Sequence, residues 1–158
     1  MNIKLKTIYS MIENQWIDIA DIGCDHAFLS QYNYKIKDHK KFFNIDNKQG
    51  PLNNAIKNHM LLKHDAVFIL DDGLNYLKNN NIKIDCCIIS GIGGISAVHI
   101  LRNDYKLIHN YIFQIENHQE LIDEWIINNH YHIKEIKQVN DHKYEYLIYK
   151  VTKNESNI

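Results

Sequence analysis

Residues 17–29 read IDIADIGCDHAFL, and this stretch joins an apolar run to an amphipathic run through one glycine turn. The first six residues predict a strand at 17–22, because most of them are apolar. Gly23 follows the strand, and the segment beyond the turn predicts a helix over 26–36. The stretch therefore begins an alternation of strand and helix, which is the pattern of an α/β protein.

The same alternation continues along most of the chain. Further strands are predicted at 41–45, 66–70, 85–89 and 111–115, and further helices at 51–62, 74–79, 95–103 and 118–129. Pro51 falls at the predicted first position of its helix, where proline is favoured. The strands are apolar at nearly every residue, which predicts a parallel sheet that is covered on both faces.

The C-terminal part breaks this rhythm. Residues 131–137 and 143–151 predict two strands with no helix between them, joined at residues 139–142 as a β-hairpin. Five parallel strands closed by an antiparallel hairpin make a seven-stranded, mostly parallel sheet. This order resembles the class I, Rossmann-like methyltransferase fold. We expect a single domain over 1–158, with a helical segment at 1–15, a core at 16–151 and a tail at 152–158.

Composition limits the classes of function. The chain has 158 residues, a net charge of −1, 45% hydrophobic and 23% charged residues, which is typical of one soluble domain and excludes global disorder. It has no apolar run long enough for a membrane span and no signal-peptide segment, so we expect a cytoplasmic protein. The charge balance argues against binding nucleic acid by bulk attraction alone. The three cysteines form no CxxC motif and the histidines are scattered, so no metal site is predicted.

The glycines indicate where a ligand would bind. All six follow a predicted strand, and they are Gly23, Gly50, Gly73, Gly91, Gly93 and Gly94. In open α/β sheets, ligands bind outside the carboxyl ends of the strands. Glycine also permits the positive φ angles and close backbone approach that such loops require, although any one of these glycines could simply mark a turn.

Carboxylates accompany these glycines. Asp21 ends the first predicted strand, Asp46 ends the second, and Asp72 follows the third. Asp46 lies 23 residues after Gly23, a position suited to the two hydroxyls of a ribose, and Asp72 could accept from an adenine amino group. The alternatives are an exposed carboxylate at a strand end for Asp46, and helix N-caps for Asp21 and Asp72.

The pattern suits a nucleoside without phosphate. A pyrophosphate site requires a GxGxxG loop with free backbone N–H groups, and Asp25 stands where the second glycine of that motif would be. No P-loop is present in the sequence. An acidic pocket fits a cationic sulfonium such as S-adenosylmethionine better than it fits an anion.

Residues 21–29 resemble the DIGSDHAYL signature of the bacterial tRNA adenine-22 N1-methyltransferases. The resemblance covers essentially residues 5–150, and its further matches are Gly50-Pro51 with Ala55, Asp72-Gly73-Leu74, Ser90-Gly91-Ile92-Gly93-Gly94 (similar to AGMGG), Gln114, Glu124-Trp125 and Tyr144-Glu145.

The resemblance implies a class I fold, S-adenosylmethionine as cofactor, and methyl transfer to N1 of an adenine in tRNA. It assigns the first cofactor loop to Asp21, Gly23, Cys24, Asp25 and His26. It further assigns Asp46 to the ribose, Asp72 and Gly73 to the adenine edge, Ser90 and Gly91 to the cofactor on the reaction side, and Gly93, Gly94 and Gln114 to the substrate.

The chain departs from the family pattern at several places. Family members usually carry an additional C-terminal helical domain that is implied to hold tRNA, and the sequence ends soon after the last predicted strand. The LQPN motif loses its Pro and Asn at Ile115 and Glu116, the usual Arg just before the first Leu of the opening helix is Lys4, and the usual Glu after the second strand is Asp46. A small-molecule or other RNA acceptor, and a non-catalytic cofactor-binding or partner subunit, are therefore the alternative functions.

The chemistry of the reaction suggests further roles. N1 of adenine already carries a lone pair, so alignment rather than a strong base is required. Asp25 is our candidate to stabilise the cationic product, and helix capping is its alternative role. An extruded base needs a stacking surface, for which Phe28, Tyr32 and Tyr34 are candidates, although helix aromatics are more often core residues. Phosphates could meet Lys4, Lys6, Lys35 and Lys37, or these lysines could be ordinary surface.

Overall fold

A seven-stranded sheet runs through the protein, and the computed structural model describes residues 1–62 and 66–155. The strands are β1 Asp18–Ile22, β2 Lys41–Asp46, β3 Val67–Leu70, β4 Cys86–Ile92, β5 Asn110–Ile115, β6 Tyr131–Asp141 and β7 Tyr144–Lys153. The helices are α1 Ile3–Ser10, α2 Phe28–Lys35, α3 Gln49–Leu62, α4 Asn75–Asn79, α5 Gly94–Leu101 and α6 Gln119–Asn128.

The strand order in the sheet is β3-β2-β1-β4-β5-β7-β6. Strands β1 to β5 are parallel, while β7 pairs antiparallel with both β5 and β6. This confirms the predicted fold class, including the C-terminal hairpin. The strand order reverses at β1, because β2 and β3 lie on one side of it and β4 and β5 on the other. Such a reversal opens a crevice at the carboxyl ends of the neighbouring strands.

The core lies on both faces of the sheet. One cluster joins the sheet to α4, α5 and α6, and a second joins the opposite face to α1 and α2. Cys86 belongs to the second cluster and Cys87 to the first, as expected for consecutive strand residues. The described residues contain no group of side chains suited to hold a metal ion, and none of their helices could cross a bilayer.

Some predicted boundaries shift. Helix α3 begins at Gln49, so Pro51 is its third residue and not its first. Proline is tolerated there because the first-turn N–H groups have no partner within the helix. Strand β6 continues to Asp141, which leaves a turn of only two residues, and β7 extends to Lys153. Residues 156–158 of the predicted tail lie outside the described residues, and the division into segment, core and tail stays a prediction.

Candidate functional site

The turn after β1 is fastened directly to β2. The N–H groups of Gly23 and Cys24 both donate to the carbonyl oxygen of Ile45, at 2.8 and 3.0 Å. Gly23 has a φ of +71°, and an added Cβ there would meet no atom within 4 Å. The open space above Gly23 allows a ligand to approach its backbone closely.

The rest of the turn has an unusual backbone. Asp25 and Ala27 have φ angles of +48° and +57°, and Ala27 precedes α2 as its cap residue. No side chain caps this helix, so the structure does not support helix capping as the role of Asp25. The left-handed turn instead leaves the Asp25 side chain 66% exposed at the rim. A left-handed backbone conformation costs roughly 1–2 kcal/mol for each residue other than glycine. The contacts of the turn with the rest of the fold therefore have to stabilise this conformation.

Asp46 anchors the same turn from β2. Its Oδ2 accepts from the N–H of Asp25 at 3.1 Å, and its Oδ1 accepts from the N–H of Lys48 at 3.0 Å. The side chain is buried, and the alternative of an exposed carboxylate at a strand end is therefore wrong. Each carboxylate oxygen can accept a second hydrogen bond, so Asp46 retains acceptor capacity for a ligand.

Asp21 lies beside Asp46 but is not paired. It is 6% exposed, and no group in the described part of the chain donates a hydrogen bond to its carboxylate. Burial, together with the negative charge of Asp46, raises the pKa of Asp21 to about 7. Because a buried carboxylate without a donor is costly, Asp21 is a strong candidate to receive a positively charged or hydrogen-bond-donating ligand.

Cys24 takes no part as a nucleophile. Burial, and then the charge of Asp21, raise the pKa of its thiol. The thiol therefore stays protonated at neutral pH, and its place in the site is that of a wall residue.

Two cavities open on either side of the Gly23 turn. The first, of about 250 Å³, is bounded by α1, the turn and the end of β4, and its lining includes Lys4, Asp21, Asp25, Phe28 and Ser90. The second, of about 230 Å³, lies towards β3 and α5, and its lining includes Asn47, Lys48, Asp71, Asp72, Ser96 and Ile100. Gly23 contributes to both, so they form one rim cleft, which we call the Gly23 cleft. A cavity of about 320 Å³ at Ser30, Lys40 and Val67 lies at the amino ends of β2 and β3, away from these loops.

The β4 wall of the cleft contains a bulge. Gly91 has a φ of +77° at the point where the β4–β5 register shifts. Its N–H leaves the strand ladder and donates instead to Oε1 of Gln114 at 2.9 Å. Gln114 is buried, so the structure places it behind the wall, where it holds the bulge.

Gly93 and Gly94 pack closely against the loop that follows β5. A Cβ at Gly93 would collide with the Asn117 side chain, and a Cβ at Gly94 would collide with the backbone oxygen of His118. The Gly94 N–H also donates to the Asn117 carbonyl at 2.9 Å. Gly93 is half-buried at the helix start, whereas Gly94 is buried beneath the loop.

The remaining predicted residues lie on the rim. Asp72 is exposed, and Gly73 beside it is buried against Ile100. The backbone N–H of Tyr76 in α4 donates to the neighbouring Asp71, so the structure assigns to Asp71 the capping bond that was the alternative for Asp72. His26 is half-exposed beside Phe28, with ring centroids 5.2 Å apart.

Lys4 is the residue whose position the sequence did not disclose. It extends from α1 into the Gly23 cleft, with Nζ 3.8 Å from Glu116 and 5.1 Å from the ring centre of Tyr146. Lys35 is the last residue of α2 and Lys37 lies just beyond it, at the end of the helix away from the Gly23 turn, so they do not form one patch with Lys4. The only local signal for Lys4 was its position just before the first leucine of the chain.

Tyr32 is also removed from the stacking candidates. Its ring packs edge-on against Tyr9, 4.9 Å away, and faces the α1 side of the core. Phe28, by contrast, is 46% exposed and lines the cleft.

Known proteins share this architecture. Residues 1–149 match the methyltransferase-domain family. A Mycoplasma genitalium protein named as a candidate tRNA methyltransferase is 24% identical, over 97% of this chain and 70% of its own length. The structure of M. capricolum TrmK with S-adenosylhomocysteine is 31% identical with a TM-score of 0.89, covering 98% of this chain and 69% of that one. The B. subtilis m1A22 tRNA methyltransferase TrmK is 25% identical with a TM-score of 0.81, covering 98% and 67%.

Proposed function

Because the chain belongs to the methyltransferase-domain family, and within it to the TrmK-type tRNA methyltransferases, we propose that it transfers a methyl group from S-adenosylmethionine to N1 of an adenine in tRNA. The observation that carries the proposal is the unpaired, buried carboxylate of Asp21 in a cleft that divides at Gly23. The proposal also locates the protein in the cytoplasm.

The residues of the cleft fit this cofactor. Asp21 supplies a buried negative charge that lacks a partner, as a cationic ligand requires. Asp46 retains acceptor capacity for ribose hydroxyls, and exposed Asp72 borders the second cavity, where it can accept from an adenine amino group. Ser90 and Gly91 line the first cavity on the reaction side. When bound there, S-adenosylmethionine supplies an electrophilic methyl group.

The chain's own residues have little chemistry to perform on the acceptor. The N1 lone pair of adenine is available without deprotonation, so the main contribution is to hold this atom in line with the methyl group. Methylation leaves the base positively charged. Asp25, which is exposed at the first cavity, places a carboxylate where it stabilises that developing charge.

Phe28 provides the surface for the incoming base. An adenine in folded RNA has to be extruded before it reaches the cleft, and enzymes that act on bases receive them by stacking. Phe28 lines the first cavity, and the neighbouring His26 ring is tilted by 31° with respect to it. They are the aromatic pair nearest to Asp25 along the chain.

A methyl-transfer assay tests the proposal. Unmodified total tRNA is incubated with the protein and labelled S-adenosylmethionine, and the modified nucleotide is identified by mass spectrometry. We expect N1-methyladenosine at one position. Label in small molecules but not in tRNA would identify another acceptor, and no label despite calorimetric cofactor binding would identify a non-catalytic subunit.

Substitution at Asp25 tests its assigned role. Asp25→Asn is expected to lower kcat by about 10- to 100-fold, which is less than the 10²–10³-fold typical of an enclosed stabilising group, because the Asp25 side chain is exposed to solvent. Cofactor affinity by calorimetry is expected to stay within about twofold, since Asp21 and Asp46 remain. Glu155→Gln, an exposed substitution after β7, is the control. Equal losses of turnover and cofactor affinity would remove Asp25 from the catalytic role.

A further inference from the structure

The hairpin of β6 and β7 extends past the rest of the sheet. Pairing between β5 and β7 ends at Phe113 with Tyr149, whereas pairing between β6 and β7 continues to Asp141 with Tyr144. Residues 138–147, which we call the hairpin arm, therefore rise above the carboxyl edge of β5. This is the edge at which the Gly23 cleft opens.

The hairpin arm presents two aromatic rings on one side. Tyr144 and Tyr146 are two residues apart on β7, so they point to the same face. Their ring centroids are 6.3 Å apart and their planes differ by 29°. Tyr144 is 67% exposed, more than any other phenylalanine, tyrosine or tryptophan in the described part of the chain. An exposed ring on a regular, paired strand contributes little to the core, so burial does not explain its position.

Lys4 connects the two tyrosines to the cleft. Its Nζ lies over the Tyr146 ring, while the same side chain lines the first cavity opposite Phe28. The side chain of Lys4 is only 17% exposed, so it is held between the two features. Through Lys4, Tyr146 adjoins the first cavity, and Tyr144 lies beside Tyr146 farther from the cavity.

The chemistry of the hairpin arm favours a nucleic-acid base as the occupant. Lys143 at the turn is accompanied by Asp141 and Glu145, so the arm has little net attraction for phosphate. These charged residues also divide the apolar surface of the arm, so it is too small for the hydrophobic centre of an interface with another protein. Stacking of a base on an exposed ring requires neither a strong attraction for phosphate nor a large apolar surface, because every base has a π-face.

We propose that the hairpin arm is an RNA-binding surface, in which Tyr144 stacks on an unpaired base adjacent to the adenine that enters the Gly23 cleft. This inference rests on the proposed function, since extrusion of one adenine leaves neighbouring nucleotides free to stack on protein. Tyr146 and Lys4 orient the Tyr144 ring and connect it to the cavity.

Steady-state methylation kinetics test the contact. Tyr144→Ala is expected to raise the KM for tRNA at least about fivefold, the lower end of the contribution of one stacked base. Tyr144→Phe keeps the ring and is expected to stay within about twofold of the wild type. kcat at saturating tRNA and cofactor affinity are expected to be unchanged. The control is Leu147→Ala, because Leu147 is partly exposed on the opposite face of the same strand.

A fluorescence measurement tests the contact without catalysis. In Tyr144→Trp, the new indole is exposed, while the native Trp16 and Trp125 are buried and give a constant background. We expect quenching on titration with unmodified tRNA and with a short oligoadenylate. Quenching without methylation would leave the RNA surface standing while the proposed function fails.

Three results would overturn the inference. Methylation with a wild-type KM in Tyr144→Ala would remove the hairpin arm alone and leave the proposed function intact. Equal KM increases in Tyr144→Ala and Leu147→Ala would indicate a general disturbance of the hairpin. Emission of Tyr144→Trp that depends on protein concentration and not on RNA would identify the arm as a face for a second copy of the chain.

Discussion

Substitution of Asp21 by asparagine separates the stability of the protein from its ability to bind a cationic ligand. The folded protein raises the pKa of Asp21 to about 7, first through burial and then through the charge of Asp46. In an unfolded chain the same group titrates near 3.9. The folded state therefore holds the proton more tightly, and ionisation of Asp21 opposes folding.

The sign and the size of the effect follow from these two pKa values. Below about pH 4, Asp21 is protonated in both states and contributes no penalty. The penalty grows as the pH rises and is complete above about pH 7. Each pKa unit corresponds to about 1.4 kcal/mol, so a difference of three units destabilises the ligand-free protein by about 4 kcal/mol at pH 8.

Asp21→Asn removes this penalty and nearly preserves the size of the side chain. We expect equal stability of wild type and variant near pH 4, and a variant that unfolds roughly 10 °C higher at pH 8, since 1 kcal/mol shifts Tm by about 2–4 °C in a domain of this size. Thermal unfolding followed by circular dichroism at several pH values gives the difference directly. S-adenosylmethionine affinity should fall in the same variant.

Asp46→Asn is the matched control. Asp46 accepts two backbone N–H bonds, so its amide variant should lose about 1–2 kcal/mol near pH 4. The loss should be smaller at pH 8, because the variant also lacks the negative charge that raises the pKa of Asp21, but it should not become the gain in stability expected of Asp21→Asn. A wild-type protein whose Tm falls with pH no faster than that of Asp21→Asn would refute the reasoning. A variant less stable than the wild type at pH 8 would refute it as well.

Two further predictions concern the rim. Gly94→Ala should destabilise the protein by about 1–3 kcal/mol, because the new Cβ meets the fixed backbone oxygen of His118. Gly93→Ala should destabilise it less, because its Cβ meets only the exposed Asn117 side chain, which can turn away. Chemical denaturation of the two variants measures the difference. Lys4→Gln should change Tm little, because its ion pair with Glu116 is 3.8 Å long and the Glu116 side chain is 41% exposed. The same variant should reduce the slope of log affinity for tRNA against log salt by about 0.7–0.9 if Lys4 contacts a phosphate. An unchanged slope would exclude that contact.

The local pattern was sufficient to predict the fold. Strands and helices were recognised because apolar periodicity and glycine turns are properties of short segments, and the C-terminal hairpin was visible as two strands without a helix between them. The boundaries were less accurate. The β6–β7 turn proved to be two residues long because cross-strand pairing extends to Asp141 and Tyr144, and this pairing is not visible in either strand alone.

The site was predictable in position but not in electrostatics. Asp21 and Asp46 look equivalent in the sequence, since both end strands. Asp21 lies opposite Asn44 in the register, two residues before Asp46, and of the two carboxylates only Asp46 accepts backbone N–H groups, those of Asp25 and Lys48. The sequence could not exclude helix capping for Asp25, because nothing in it shows that Ala27 adopts a left-handed conformation and precedes α2 without a side-chain cap. Lys4 entered the cleft only through the docking of α1, which no local pattern specifies.

A bound cation should reverse the pH dependence that Asp21 imposes. A positive charge facing Asp21 stabilises its ionised form, so S-adenosylmethionine should bind more tightly as the pH rises from 6 to 8. A ligand at 100 times its Kd raises stability by about 2.7 kcal/mol, and this gain should be larger at pH 8 than at pH 6 when the ligand concentration is fixed. Differential scanning fluorimetry at the two pH values measures it, with Asp21→Asn as the variant whose ligand-induced shift loses this pH dependence. A ligand-induced shift that is the same at both pH values in the wild type would mean that the cation binds away from Asp21.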